Sequence, residues 1–234
     1  MRHFLCAVVI VIANLAATVF AQVSPKAEVF TGFSYGNYEL LPATPSFSSS
    51  NETISGSPSA RLGLFGWNAS VAVNVNPWFS FATDFSGYYS SSSTSTTYTQ
   101  TITNPCGPLT CSPETITTKM VAASPKIHNF LFGPQFSYPG GKLRPFAHFL
   151  VGGEHTDITR SDIITSSSGG GIGFGGPFNF SSGSTGFAMA IGGGVDYSIK
   201  PNLAWRVSTD YLTGQGVGQN HVRVSTGLVW RLGH

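Results

Sequence analysis

The chain has 234 residues, of which only 9% are charged and 13% aromatic, with 28 glycines and a net charge of +2. A surface that faces water is ordinarily about 25% charged or more, so this composition argues against an ordinary soluble domain. The near-zero net charge gives no electrostatic case for nucleic acid or an acidic partner.

Arg2 and His3 precede an apolar run, Phe4–Phe20, and Val19-Phe20-Ala21 supplies residues suited to a cleavage site. Residues 1–21 are therefore expected to be a signal peptide, with residues 22–234 forming one domain. A single membrane anchor is the competing reading. The run is short, however, and a strand pattern follows it at once. No later segment approaches the roughly 20 apolar residues of a membrane helix.

The first predicted strand is Lys26–Tyr38. Val29, Thr31, Phe33 and Tyr35 share one face, Glu28, Gly32 and Ser34 the other, and Phe30 breaks the pattern. Leu40–Pro58, rich in Ser, Pro and Thr, reads as a loop. The second strand, Leu62–Val75, sets Phe65, Trp67, Val71 and Val73 against Asn68, Ser70, Ala72 and Asn74. After a turn at Asn74–Pro77, the third strand, Trp78–Tyr89, sets Phe79, Phe81 and Phe85 against Ser80, Ala82 and Asp84. Ser90–Pro125 reads as a long polar loop. It carries Cys106 and Cys111, an even pair at close spacing that is expected to form a disulfide in an oxidising compartment. No His or further Cys lies nearby to make the pair a metal site.

The fourth strand, Lys126–Tyr138, and the fifth, Arg144–Asp157, are joined by a turn at Pro139–Lys142. The fifth alternates most weakly, and the facing of both stays open. Ile158–Thr185 reads as a flexible loop. Its glycine run lacks the flanking strand and helix, and the Gly-Lys-Ser/Thr, of a phosphate loop. The sixth strand is Gly186–Ser198, followed by a turn at Ile199–Asn202. The seventh, Leu203–Tyr211, has Leu203, Trp205, Val207, Thr209 and Tyr211 on one parity, with Ala204, Arg206, Ser208 and Asp210 on the other. Thr213–Asn220 leads to the eighth, where Val222, Val224, Leu228 and Trp230 oppose His221, Arg223, Ser225 and Arg231.

Eight strands with connections alternating long and short fit an all-β fold, an eight-stranded antiparallel up-and-down transmembrane β-barrel. The polar parity holds Gly, Ala, Ser and Asn with isolated charges, too few for an outer surface in water. The aromatic parity is too bulky for the interior of so small a barrel. The apolar face is therefore expected to meet lipid, and closure pairs every backbone group. A soluble, periplasmic lipocalin-like binding barrel would require the opposite facing.

With that facing, Glu28, Asp84, Glu154, Asp196, Arg206, Asp210, Arg223 and Arg231 point into the lumen. Counting across the hairpins pairs Asp196 with Arg206 and Asp210 with Arg223, and barrel closure brings Glu28 to Arg231. A buried charge is tolerable when paired, so a polar network is expected, with no wide channel.

An enzyme would need a nucleophile, a base and an orienting group together. His128 could oppose Glu154 in one register, but that register turns Phe130 and Phe132 inward, and no Gly-x-Ser-x-Gly occurs. The residues therefore point to no catalytic, cofactor or metal site. They fit a structural or surface-interaction role, with a small-solute pore or an adhesin acting through the long loops as alternatives.

Gly66-Trp67-Asn68, Asp84-Phe85-Ser86-Gly87-Tyr88-Tyr89, Gly133-Pro134, Arg144-Pro145-Phe146-Ala147, Arg206 with Asp210-Tyr211, and Arg223-Val224-Ser225-Thr226-Gly227 resemble the outer-membrane barrel family that includes the OmpA-type transmembrane domain and OmpX-like proteins. The resemblance implies a bacterial outer membrane and a periplasmic N-terminus. Its implied partners are lipid, the barrel-assembly machinery and periplasmic chaperones, and it implies no shared catalytic residues and no particular extracellular ligand. Two features depart from that family. No peptidoglycan-binding domain follows the last strand, and the chain ends Trp230-Arg-Leu-Gly-His instead of on an aromatic residue.

Overall fold

The computed structural model describes residues 25–102, 113–168, 178–215 and 220–233. The expected signal peptide and the Cys106–Cys111 pair lie outside these residues. Eleven strands run β1 (Ala27–Leu41), β2 (Phe47–Ser48), β3 (Glu52–Ser55), β4 (Ala60–Asn74), β5 (Phe79–Tyr89), β6 (Ser93–Ile102), β7 (Glu114–Ser137), β8 (Leu143–Ser168), β9 (Phe178–Lys200), β10 (Leu203–Gly214) and β11 (His221–Leu232). Every pairing is antiparallel. Strands β1, β4, β5, β7, β8, β9, β10 and β11 form a closed ring, with β1 against β11 and β7 against β8. The fold is an eight-stranded antiparallel up-and-down barrel.

The turns at one end are tight. Between β4 and β5, the Asn76 side-chain oxygen accepts from the backbone N–H groups of Trp78 (3.0 Å) and Phe79 (2.8 Å). That bond holds a turn that asparagine favours by capping its own backbone.

The facing is uniform around the ring. Along β10, Trp205, Val207, Thr209 and Tyr211 are exposed, while Ala204, Arg206, Ser208, Asp210 and Leu212 are buried. On β7, Phe130, Phe132 and Phe136 point outward and Asn129, Leu131 and Gln135 inward; on β8, His148, Leu150 and Glu154 face the lumen. The facing of the fourth and fifth ring strands, open from sequence, is thereby fixed. Outside, the aromatic rings pack on each other, with Phe85 and Phe130 at 4.8 Å and Trp78 stacked on Phe136 at 6.1 Å. An exterior of Phe, Trp, Val and Ile around a polar, charged lumen is the reverse of a soluble barrel, so the lipocalin-like alternative is set aside.

Three segments expected to be loops contain strands. Leu40–Pro58 contains the end of β1, then β2 and β3. Ser90–Pro125 contains β6 and the first part of β7. Ile158–Thr185 contains the end of β8 and the start of β9. The reason is physical. Threonine is β-branched and favours strands, but the run Ser93–Ile102 (STSTTYTQTI) carries polar residues on both faces. Such a strand needs no apolar–polar alternation, so periodicity cannot reveal it.

These segments form a sheet that stands beyond one end of the ring, in the order β2–β3–β6–β7–β8–β9. The longest strands, β7, β8 and β9, run through both the barrel and this extension. Irregularities in the β7–β8 register between Ala123 and Lys126 mark the level where one passes into the other.

Candidate functional site

The lumen is filled in layers. Nearest the tight turns, Arg206 makes two hydrogen bonds to Asp196, from Nε to Oδ1 (2.7 Å) and from Nη2 to Oδ2 (2.9 Å). The two are cross-strand partners on β10 and β9. Arg206 also donates to Glu28 Oε2 at 3.4 Å, and Arg144 donates to Glu28 Oε1. Glu28 and Arg231 are register partners across the closure of the ring. There Arg231 Nε lies 3.8 Å from Glu28, Nη2 lies 3.6 Å from Asp196, and Nη1 donates to Ser198 Oγ at 2.8 Å. The Arg206 guanidinium sits between the Phe30 ring (5.5 Å) and the Phe146 ring (4.2 Å). Phe30, the residue that breaks the alternation of β1, thus faces inward as a cation–π partner.

The second layer is built on Arg223, Asp210 and Asp84. Arg223 donates from Nε to Asp210 Oδ2 (2.8 Å) and from Nη1 to Asp84 Oδ1 (2.7 Å). Asn68 Nδ2 donates to Asp84 Oδ2 at 2.8 Å, and His148 Nε2 is 2.7 Å from Asp210 Oδ1. Room for these side chains comes from glycine: a Cβ at Gly192 would collide with the Asp210 carboxylate. Bidentate guanidinium–carboxylate geometry is the arrangement that best offsets the cost of burying two charges. Between the layers lies a cavity of about 10 Å³, lined in part by Ser70, Gln135, His148, Arg206 and Ser208, which is room for one water.

Beyond the second layer the lumen turns apolar. Tyr38, Leu40, Leu64, Tyr88, Met120, Ile127 and Ile158 form a buried cluster toward the extension. Tyr38 packs on Tyr88 at 5.1 Å and on His221 at 3.8 Å, and the Tyr88 and Ser34 hydroxyls are hydrogen-bonded at 2.8 Å.

Of the eight lumen charges expected from sequence, seven join these two layers. Glu154 does not; it is buried farther along, opposite Asn129. His128 and Glu154 do not meet, because His128 faces His155 across β7 and β8 and points outward, with its Nε2 2.8 Å from the Tyr89 hydroxyl. From sequence, Asn68 falls on the polar parity of its strand, but Asn68, Arg144 and His148 are not among the expected network residues. Arg144 and His148 share the parity of Glu154 on β8, which could have flagged them once the facing of that strand was known.

The extension is held differently. Its contacts include backbone ladders, hydroxyl contacts such as Thr99 with Thr117 (3.4 Å), Thr101 with Thr115 (3.4 Å) and Ser161 with Asn179 (2.6 Å), and the polar pairs Gln100 with Glu52 (2.6 Å) and Arg160 with Asp162 (3.2 Å). β10 pairs with β9 only as far as Gly214 with Ala188, plus the Gln215 N–H to Phe187 carbonyl bond (2.9 Å). From Phe178 to Gly186, β9 therefore has β8 as its sole strand neighbour among the described residues. Phe178 and Phe180 on this edge are exposed.

No family model matches the chain, and no curated protein matches it. Among solved structures it is similar to Ail, the attachment invasion locus protein of Yersinia pestis, at 12% identity, covering 90% of this chain and 100% of that one, with a TM-score of 0.47. It is also similar to neisserial surface protein A, at 13% identity, 90% and 100% coverage and a TM-score of 0.41. The N-terminal β-barrel domain of Pseudomonas aeruginosa OprF gives 14%, 89%, 100% and 0.37. At these values the barrel assignment rests on this chain's own ring of strands.

Proposed function

We propose that this chain is an outer-membrane barrel that serves as a structural anchor for a surface-interaction module, the sheet extension, and has no wide pore. The apolar exterior and paired polar lumen support insertion in lipid. The N-terminus would then lie at the tight-turn, periplasmic end and the extension outside the cell.

The observation that carries the interaction role is the β9 edge from Phe178 to Gly186, which no second strand covers among the described residues. Proteins usually blunt such edges with lysine, proline or a covering element. This stretch, FNFSSGSTG, has neither residue. It offers unpaired backbone N–H and C=O groups flanked by two exposed phenylalanines, which suits an extended segment of a partner adding as a strand.

The test has two steps. Fractionation with heat-dependent gel mobility should place the folded chain in outer membranes, and soluble recovery in the periplasm would refute the barrel reading. Extended peptides would then be selected on the nanodisc-embedded barrel. Bound peptides should show strand-type amide infrared absorption and lose binding when Phe178 and Phe180 are both replaced by Lys. Binding that survives this change would remove the β9 edge as the docking surface.

A further inference from the structure

One buried carboxylate of the lumen has no cation beside it. Glu28, Asp84, Glu154, Asp196 and Asp210 are buried, and the inward cations are Arg144, Arg206, Arg223 and Arg231, with His148 held against Asp210. The other four carboxylates each have an arginine partner. Among the described residues none forms an ion pair with Glu154, and every Lys and Arg beyond residue 24 is among them. Yet Glu154 is only 5% exposed.

Its surroundings are oxygen-rich. Asn129, 3% exposed, lies directly across from it on β7, and both face the lumen. Asn129 turns its Nδ2 to Ser86 Oγ on the opposite flank, at 3.4 Å. That leaves Oδ1 fully buried and without a hydrogen-bond partner. Thr156, two residues along the same face of β8, donates its hydroxyl to the Glu154 carboxylate. Tyr88 and Ile127 of the apolar cluster, a further step along β5 and β7, shield this place from bulk water.

We propose that Glu154, Asn129 Oδ1 and the Thr156 hydroxyl hold a single monovalent cation, sodium in the first instance. One formal negative charge among neutral oxygens matches one positive charge. A divalent ion draws on more carboxylates, and the softer metals prefer nitrogen or sulfur ligands. The cation supplies the missing positive charge and gives the stranded Asn129 oxygen a partner. The rival occupant is a proton on Glu154.

The test uses the whole mature chain, refolded into detergent micelles in sodium, potassium or N-methylglucamine chloride at matched ionic strength. The unfolding temperature should be higher in sodium than in N-methylglucamine, by on the order of 5 °C once sodium is well above its dissociation constant. The isosteric Glu154→Gln variant should lose that difference, and crystals soaked in thallium should show an anomalous peak beside Glu154. Equal unfolding temperatures in all three salts would overturn the site, as would a difference that persists in Glu154→Gln or thallium density elsewhere in the lumen. A rise in wild-type stability on acidification that is the same in all three salts and absent from Glu154→Gln would identify the proton as the occupant and also overturn it. None of these readouts involves β9, so the docking surface and the cation site fail independently.

Discussion

The barrel and its extension share β7, β8 and β9, yet the two regions obey different rules. In the barrel each strand turns one face to hydrocarbon and one to the lumen, and exposure alternates along it. In the extension Thr96, Thr118, Met120 and Ala122 nearest the barrel are buried, and beyond them both faces carry Ser and Thr and none of the described residues is buried. The barrel holds its lumen together through a few buried, mutually dependent ion pairs. The outer extension relies on backbone ladders, hydroxyls and polar pairs such as Gln100 with Glu52 that water could replace. Substitutions should therefore cost much in the first region and little in the second.

The largest effect is expected at Arg223. Arg223→Leu leaves Asp84 and Asp210 buried without their shared cation and should cost roughly 3–5 kcal/mol, read as a lower urea midpoint or loss of the folded gel band. Arg206→Leu should behave similarly, since it removes the bidentate partner of Asp196 and leaves only the looser Arg231 contact at 3.6 Å. The double variant Arg206→Met with Asp196→Leu should recover much of the loss, since an apolar pair of similar volume removes both desolvation costs. Failure to recover would mean that the two residues act through Glu28 and Arg144 instead of through each other.

An arginine on the outside tests the other face. Phe130→Arg puts a charge on the lipid side of β7, where the cost should be about 2–4 kcal/mol near the bilayer midplane. The measurement is unfolding in lipid vesicles, and a neutral result would put Phe130 outside the hydrocarbon. In planar bilayers the barrel should give no large stable conductance, because its inter-layer cavity holds about one water. The smallest effect belongs to the extension: Thr99→Ala should change stability by less than about 0.5 kcal/mol, and a larger loss would show the hydroxyl ladder to be cooperative.

The same contrast explains what could be read from sequence. The ring strands were visible because two different solvents impose period two. Hairpin counting set Asp196 against Arg206 because the β9–β10 turn is short and adds no ambiguity, and it set Asp210 against Arg223 across the longer β10–β11 connection. The strands β2, β3 and β6 were hidden because a sheet polar on both faces leaves no periodic trace. Phe30 was puzzling in sequence for a related reason: an aromatic residue on the polar parity makes sense only when a guanidinium sits over it. Arg144 and His148 were obscured by the weak alternation of β8, where glycines at 152 and 153 interrupt the pattern.

The hydroxyl-rich make-up of the extension bears on how the molecule is made. For the extension to stand outside the cell, its strands have to be carried across the bilayer before the barrel closes. A charged side chain at the bilayer centre is costly, whereas a hydroxyl is far cheaper to move. β6 and the Phe178–Gly186 stretch carry no charged side chain at all. In the proposed orientation, their composition would lower the barrier to export while keeping strand propensity for the sheet.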